Sequence, residues 1–369
     1  MTYRVTLADN TVGAEEIEAV TDVLAGRWLS AGPVTREFER GFAAALGVPD
    51  AVAVSSGTAA LHLAMLTLDL SAGDEVIMPS LSFVAAAAVT ALHGGVPVFA
   101  DVISAAEPTA APGDVYDLIT PRTQAIVAMH YGGYPARIAE LRAVADAAGV
   151  PLIEDAAHAP VVRTRDDMLG TVGDIGCFSF HPAKNVTTGE GGLVVARDLD
   201  LLARIRAMRS HCVVNRGTHY DVNDIGLNYR PGELGSAIGR VQLAKLPGDR
   251  VLRRRLTCHY RSLLSGVGIP FADHTADSAH HLMAIVLPER APREEVQRLM
   301  REAGVQTSVH YPPTHLFSRY RRLGQRRLPV TEGLAGRLLT LPLHSRMDEA
   351  DVVYVVERLR KALSPWTKG

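Results

Sequence analysis

The chain has 369 residues, of which 47% are hydrophobic and 21% charged, and its formal net charge is −2 at pH 7. This composition is typical of a globular protein with a sizeable core, and the balanced charge does not indicate binding to nucleic acid or to an anionic membrane. The cysteines Cys177, Cys212 and Cys258 are scattered, so neither a disulfide framework nor a metal site is expected. There is no signal-peptide pattern, and no apolar run approaches the roughly 20 residues of a transmembrane helix, so we expect a cytoplasmic location.

Short apolar runs alternate with longer helical patterns through about residue 245. The runs predict buried strands at residues 51–54, 75–78, 96–99, 125–129, 151–154 and 192–195, with helices between some of them at 59–68, 138–148 and 199–209. This alternation predicts an α/β fold with a mainly parallel sheet covered by helices. Most of the strands end in polar or glycine-rich turns, where the sites of such sheets collect.

The composition changes from Leu246 onward. A basic stretch at residues 250–255 opens a long predicted helix, and a strand at 284–287 and helices at 293–303 and 348–363 follow. These pieces predict a smaller α+β domain. We therefore expect a large domain over residues 1–245, which includes an N-terminal arm, and a small C-terminal domain over residues 246–369.

The turn after the first predicted strand has the composition of an anion-binding site. Ser56, Gly57 and Thr58 lie between the end of a strand and the start of a helix. Free N–H groups at a helix N-terminus bind phosphate, Gly57 permits close approach of the backbone, and the Thr58 hydroxyl can add a hydrogen bond. By itself this pattern is more typical of an ordinary helix cap.

A second group of residues suits a cofactor ring. Asp155 closes an apolar strand, so its carboxylate is expected at the carboxyl edge of the sheet, and His158 follows three residues later. Ser179 alternates with two phenylalanines and can face a phosphate, and Lys184 follows in a loop that ends in glycines. A lysine that forms a Schiff base, a carboxylate opposite a pyridine nitrogen and a hydroxyl for a phosphate are what pyridoxal phosphate (PLP) needs. Phe83 could stack on its ring.

Together these runs resemble the sugar aminotransferases of the DegT/DnrJ/EryC1/StrS family, within the fold-type I PLP enzymes. The resemblance covers nearly the whole chain. It rests on residues 26–33, 56–61, 73–79, 154–158, 178–184, 228–230, 310–313 and 341–344.

The resemblance implies a role for each matching residue. Lys184 is implied to bind PLP and to carry the proton, Asp155 to pair with the pyridinium nitrogen, and His158 to contact the phenolic oxygen. The remaining implied cofactor contacts are Phe83 as the stacking aromatic ring, Gly57, Thr58 and Ser179 at the phosphate, and Asn228 at the phosphate of a neighbouring subunit. The last contact implies a homodimer with shared active sites. Ser30, His310 and Tyr311 are implied to lie on the substrate side.

The implied activity is transfer of an amino group from Glu or Gln to a keto group of a nucleotide-activated deoxysugar, in the biosynthesis of an amino sugar for a secondary metabolite, such as an antibiotic, or for a surface glycan. A keto-inositol (aminocyclitol) substrate is the nearest alternative. A PLP-dependent elimination is another, although sugar 3-dehydrases that resemble this family have His where this chain has Lys184. A regulatory or sugar-binding protein of the same fold is a third alternative, and the presence of both Lys184 and Asp155 argues against it.

Overall fold

The structure is a computed structural model that describes residues 3–274, 276–323 and 326–366. Its strands are β1 (Val52–Val54), β2 (Glu75–Pro79), β3 (Val96–Ala100), β4 (Thr123–Met129), β5 (Leu152–Asp155), β6 (Ile175–Ser179), β7 (Gly192–Ala196), β8 (Val213–Arg216), β9 (His219–Val222), β10 (Met283–Val286) and β11 (Leu338–Leu341). Its α-helices are α1 (Ala14–Gly26), α2 (Pro33–Leu46), α3 (Gly57–Leu66), α4 (Ala85–Leu92), α5 (Pro112–Asp117), α6 (Ile138–Ala148), α7 (Leu199–Met208), α8 (Glu233–Leu263), α9 (Arg293–Glu302), α10 (Ser318–Arg321), α11 (Pro329–Ala335) and α12 (Glu349–Leu363).

In the described part of the chain, seven strands form one mixed sheet in the order β1-β7-β6-β5-β4-β2-β3. The pairs β2–β3, β2–β4, β4–β5 and β5–β6 are parallel, whereas β7 runs antiparallel to β6 and β1. Strands β1, β5 and β6 therefore point the same way, and their carboxyl ends lie at one edge. This confirms the predicted α/β fold with its mainly parallel sheet.

The strands are buried because both faces of the sheet are covered. Residues of β1, β2 and β5 pack with α3, α4 and α7 in one apolar cluster, and α6 covers a second cluster with β4. Helix α3 is apolar around nearly its whole circumference, which is the pattern of a helix enclosed by the core. A separate cluster joins β10, β11, α9 and α12 with the second half of α8.

The six strands predicted before residue 245 are present, each within two residues of its expected ends, and β10 lies within one residue of the strand predicted at 284–287. Strand β6 was not predicted from the sequence, because Gly176 and Ser179 interrupt its apolar pattern. The strand forms nevertheless because it lies between β5 and β7 and pairs with both. Pairing on both sides outweighs a weak local preference.

The long predicted helix begins earlier than its basic stretch indicates. Helix α8 starts at Glu233 and continues through Pro247 to Leu263. A proline inside a helix removes one backbone hydrogen bond, and contacts with α1 and α2 support this part of α8. The helix is continuous across residue 245, and the division into two domains there stays a prediction. Within the described ranges, no helix is both long and apolar enough to span a bilayer.

Candidate active site

One cavity, of about 310 Å³, opens at the carboxyl edge shared by β1, β5 and β6. Its volume lies within the range of small-molecule sites. Asp155 is the last residue of β5, Ser179 is the last of β6, and the turn into α3 follows β1. Nine of the predicted site residues line it: Gly57, Thr58, Phe83, Asp155, His158, Ser179, Lys184, His310 and Tyr311. The topology thus brings residues from five distant stretches of the chain to one place.

The start of α3 forms one wall of the cavity. The Ser56 hydroxyl accepts a hydrogen bond from the Ala59 N–H at 3.0 Å, which leaves earlier N–H groups of the helix free of this cap. A Cβ atom on Gly57 would lie 2.7 Å from the Cβ of Ser179, so only glycine permits this approach of α3 to the end of β6. A helix N-terminus beside two hydroxyls, those of Thr58 and Ser179, is suited to binding a phosphate group.

Lys184 and Asp155 are the charged pair of the cavity. Burial lowers the pKa of Lys184 to about 8, although the Asp155 carboxylate opposes this decrease. Burial raises the pKa of Asp155, and a hydrogen bond from the Ala157 N–H, at 3.1 Å from Oδ1, and the charge of Lys184 oppose that increase. A lysine with a lowered pKa supplies a neutral, nucleophilic amine near physiological pH.

His158 is held in one tautomer. Its Nδ1 accepts a hydrogen bond from the Gly132 N–H at 3.2 Å, and its Nε2 lies 2.8 Å from the Tyr311 hydroxyl. Burial, reinforced by the positive charge of Lys184, keeps the pKa of His158 well below 6.5. A neutral ring whose Nδ1 accepts must carry its proton on Nε2, so His158 donates to Tyr311.

Aromatic and imidazole rings form the opposite side of the cavity. The rings of Tyr311 and Phe83 have centroids 5.9 Å apart, and Phe83 is 54% exposed, so its face is accessible. His310 bonds to the Thr340 hydroxyl through Nδ1 at 3.0 Å, and burial lowers its pKa to about 4. These rings are uncharged at neutral pH, so the charges of the cavity are those of Lys184, Asp155 and Glu190.

Two histidines and one glutamate of the cavity lining were not predicted as site residues: His181, His281 and Glu190. His281 lines the cavity from the segment before β10, and Glu190 lines it from the glycine-rich loop before β7. The only sequence signal for His281 was the pair His280-His281, which lacks the spacing of a metal site. Glu190 lies in the run from Gly189 to Gly192, and these glycines are its only sequence signal.

Two predicted site residues lie outside this cavity. Ser30 is exposed, pairs with Gly232 in an isolated bridge, and its carbonyl accepts the Trp28 indole N–H at 2.9 Å. Asn228 is exposed and lies in an isolated bridge with Ser210. Neither contributes to the cavity of the chain by itself.

The lining fits PLP. It combines an amine of lowered pKa with a carboxylate at a strand end and an anion-binding helix start. It also has a close approach at Gly57 that a side chain would obstruct. Lys184 would hold the cofactor, and Gly57, Thr58 and Ser179 would hold its phosphate.

Comparison with known proteins agrees with this chemistry. A model of the DegT/DnrJ/EryC1/StrS aminotransferase family matches residues 10–360. The chain belongs to this family. It is therefore an aminotransferase that depends on PLP, which confirms the expected enzyme class and cofactor.

Two of three similar proteins are described with a nucleotide sugar. This aminotransferase is 38% identical, over 370 residues and 95% of each chain, to the dTDP-4-dehydro-2,3,6-trideoxy-D-glucose 4-aminotransferase of Saccharopolyspora spinosa. It is 34% identical to the aminotransferase TlmJ of Streptoalloteichus hindustanus, with a TM-score of 0.93 over 98% of this chain and 100% of TlmJ. DesI, solved in the presence of its TDP-sugar product, is 33% identical with a TM-score of 0.88 over 98% of this chain and 94% of DesI.

Proposed function

We propose that this aminotransferase moves an amino group from Glu or Gln to a keto group of a nucleotide-activated deoxysugar. The observation that carries the proposal is the buried Lys184 amine, with its pKa lowered to about 8, in one cavity with the Asp155 carboxylate and the start of α3. The similarity to a dTDP-ketosugar aminotransferase and to DesI, solved with a TDP-sugar product, supports a nucleotide sugar as the acceptor.

Bound PLP supplies an aldehyde carbon that carries the amino group between substrates and a ring that spreads charge from the reacting carbon. The Lys184 Nζ atom would hold the cofactor and, when released from it, would take up a proton at the reacting carbon and give it back. Its lowered pKa makes the neutral, proton-accepting amine accessible near pH 8. Asp155, when ionised, favours a protonated ring nitrogen, because an opposite charge nearby stabilises the cation.

His158 is a hydrogen-bond donor at Nε2 and would orient the phenolic oxygen of the cofactor. The Tyr311 hydroxyl accepts this N–H in the structure, so the hydroxyl and the phenolic oxygen of the cofactor would share the His158 N–H or replace one another as its acceptor. The Phe83 face would stack on the ring from the accessible side. His310 and Tyr311 lie on the same side of the cavity and would contact the substrates.

The cavity has little positive charge for anionic substrates. Lys184 supplies the one cationic side chain among its described lining residues, whereas Asp155 and Glu190 are acidic. A cofactor phosphate, a donor carboxylate and a nucleotide diphosphate all need hydrogen-bond donors or cations. We propose that a homodimer supplies them, with the exposed Asn228 of each chain reaching the phosphate in the site of the other.

The transamination assay measures 2-oxo acid formed from Glu or Gln in the presence of PLP and a panel of 3-keto and 4-keto dTDP-deoxysugars. We expect keto acid with at least one nucleotide sugar and none with Lys184→Ala. No keto acid with any donor and sugar would refute the proposal. Keto acid with a keto-inositol, and with no sugar, would assign the reaction to the aminocyclitol alternative.

Subunit mixing tests the shared site. Lys184→Ala and Asn228→Ala are each expected to be nearly inactive. Random reassociation makes half of the dimers mixed, and each mixed dimer retains one intact site, so about a quarter of wild-type activity should return. If mixing restores no activity although the two variants exchange subunits, Asn228 does not act across a dimer.

A further inference from the structure

One short segment, residues 278–282, contacts the His158 side of the cavity. The His281 N–H donates to the Gly132 carbonyl at 2.9 Å, and the Ala279 N–H donates to the Gly133 carbonyl at 3.0 Å. A Cβ atom on Gly133, whose φ is +86°, would lie 2.7 Å from the Cβ of Ala279, so the two backbones are closely apposed. Gly132 in turn donates its N–H to His158 Nδ1. The segment therefore supports the hydrogen bond that fixes the His158 tautomer.

The same segment contacts the residue that follows Lys184. The Asn185 Nδ2 donates to the Ala279 carbonyl at 2.6 Å, and Asn185 Oδ1 lies 2.8 Å from His281 Nδ1. A carbonyl can only accept, so the bond to Ala279 fixes which end of the amide carries the hydrogens. Oδ1 is then an acceptor, and His281 Nδ1 must donate.

His281 is uncharged in this arrangement. Burial, together with the positive charge of Lys184, keeps its pKa well below 6.5. The ring is 7% exposed, lines the cavity, and has its centroid 4.3 Å from that of His158. Asn185 is 5% exposed, so both partners of this hydrogen bond are withdrawn from water. A buried polar pair loses more than the bond itself when one partner is removed.

We propose that Asn185 and His281 are a positioning pair for Lys184. The pair fixes the backbone immediately after the lysine to the 278–282 segment. On the N-terminal side of the lysine, the backbone N–H of Lys184 donates to the His181 carbonyl at 2.8 Å. Because the same segment supports His158, Lys184 and His158 are held in a fixed position relative to each other. The inference rests on the proposed role of Lys184 and assigns a purpose to two residues that the reaction itself does not use.

The capture of PLP by cofactor-free protein measures this placement without any turnover. The rate is followed by the absorbance of the lysine-bound cofactor after mixing. Asn185→Ala and His281→Ala should each slow capture by roughly 10- to 100-fold, because small misplacements of a reacting group have effects of this size. The titratable groups that face Lys184 are Asp155, His158, His281 and His310, so all variants are compared at one pH.

Conservative variants separate positioning from loss of folding. His281→Asn keeps an N–H donor at the same number of bonds from Cβ, whereas His281→Gln moves it one bond further. We expect the Asn variant to retain most of the wild-type rate and the Gln variant to lose it. His344→Ala is the matched control, because His344 is also buried, at 5% exposure, and does not line the cavity. Its capture rate should equal that of wild type.

The double variant Asn185→Ala/His281→Ala decides whether the residues act as a pair. Interacting residues are non-additive, so the double variant should be no slower than the slower single variant. Capture at the wild-type rate by both alanine variants, or additive effects in the double variant, would overturn this inference alone. If wild type and Lys184→Ala capture PLP equally, the proposed function of Lys184 fails, and the positioning role fails with it. If His281→Ala does not fold, His281→Asn and His281→Gln are compared instead, and equal capture rates for these two would overturn the positioning role.

Discussion

Replacing Asp155 with Asn should make the Lys184 amine less basic, because the carboxylate is the group that opposes the effect of burial on this pKa. In wild type a pKa of about 8, instead of 10.5, makes about one amine in eleven neutral at pH 7 rather than about one in three thousand. This is about a 300-fold gain in the reactive form. Asp155→Asn removes the opposing charge, so the pKa of Lys184 should decrease further and the neutral fraction at pH 7 should increase.

Competitive acylation of the cofactor-free protein between pH 6 and 11 measures this pKa. The chain has four lysines, Lys184, Lys245, Lys361 and Lys368, so peptide mass spectrometry resolves each one. Lys245 is the internal control. Burial lowers its pKa, but hydrogen bonds to Glu15 and Glu16 outweigh that effect and raise it. Lys184 should reach its half-maximal rate near pH 8, whereas Lys245 should still be rising above pH 10.

A Lys184 pH profile equal to that of Lys245 would contradict the lowered pKa. An upward shift of the Lys184 midpoint in Asp155→Asn would contradict the role of the carboxylate, since it would mean that Asp155 does not stabilise the ammonium form. A matched control is Asp174→Asn, which removes a carboxylate that pairs with Arg142 rather than facing the cavity. This control should leave the Lys184 midpoint in place.

Three further variants test separate parts of the site. Gly57→Ala puts a Cβ 2.7 Å from that of Ser179, so the dissociation constant for PLP, measured by fluorescence, should rise at least about tenfold. An unchanged constant would mean that PLP binding does not depend on the close approach of α3 to the end of β6. Lys184→Met should raise the unfolding free energy of the cofactor-free protein by about 3 kcal/mol at pH 7, because burial of the ammonium group destabilises the wild-type fold below the folded pKa of about 8. This gain should decrease as the pH rises toward 10.5. A gain in denaturant titrations that does not depend on pH would contradict the lowered pKa. Tyr311→Phe leaves the buried His158 Nε2–H without its acceptor and should lower the unfolding free energy by about 1–3 kcal/mol. Part of this loss should be recovered when PLP is added. Equal losses with and without PLP would argue against a cofactor contact at His158.

The parts of the site predicted from sequence are those whose placement follows from local order. Asp155 and Ser179 end parallel strands, and Gly57 begins a helix at the end of another. Once the sheet is predicted, its shared carboxyl edge brings Asp155 and Gly57 together without further information, whereas the position of Ser179 depends on β6, which the sequence did not predict. Lys184 is predicted from the motif residues that accompany it in the sequence. The burial that lowers its pKa is visible only in the folded cavity.

The remaining parts depend on tertiary contacts that no local pattern encodes. His281 meets Asn185 across 96 positions of the chain, and the tautomer of His158 is set by a backbone N–H of Gly132. Strand β6 and the first half of α8 are held by their neighbours in spite of weak or interrupted local preference. Ser30 and Asn228 lie outside the cavity of a single chain, and the contact predicted for Asn228 is one with a neighbouring subunit.

Borohydride reduction of the PLP-loaded protein, followed by peptide mapping, tests the central assignment most directly. Reduction makes the bond between cofactor and lysine permanent, and the four lysines are distinguishable by peptide mass. We predict a single phosphopyridoxyl group on the peptide that contains Lys184, and none in Lys184→Ala. A phosphopyridoxyl group on Lys245, Lys361 or Lys368 instead, or no modification at all, would contradict the assignment of this cavity as the site of amino transfer.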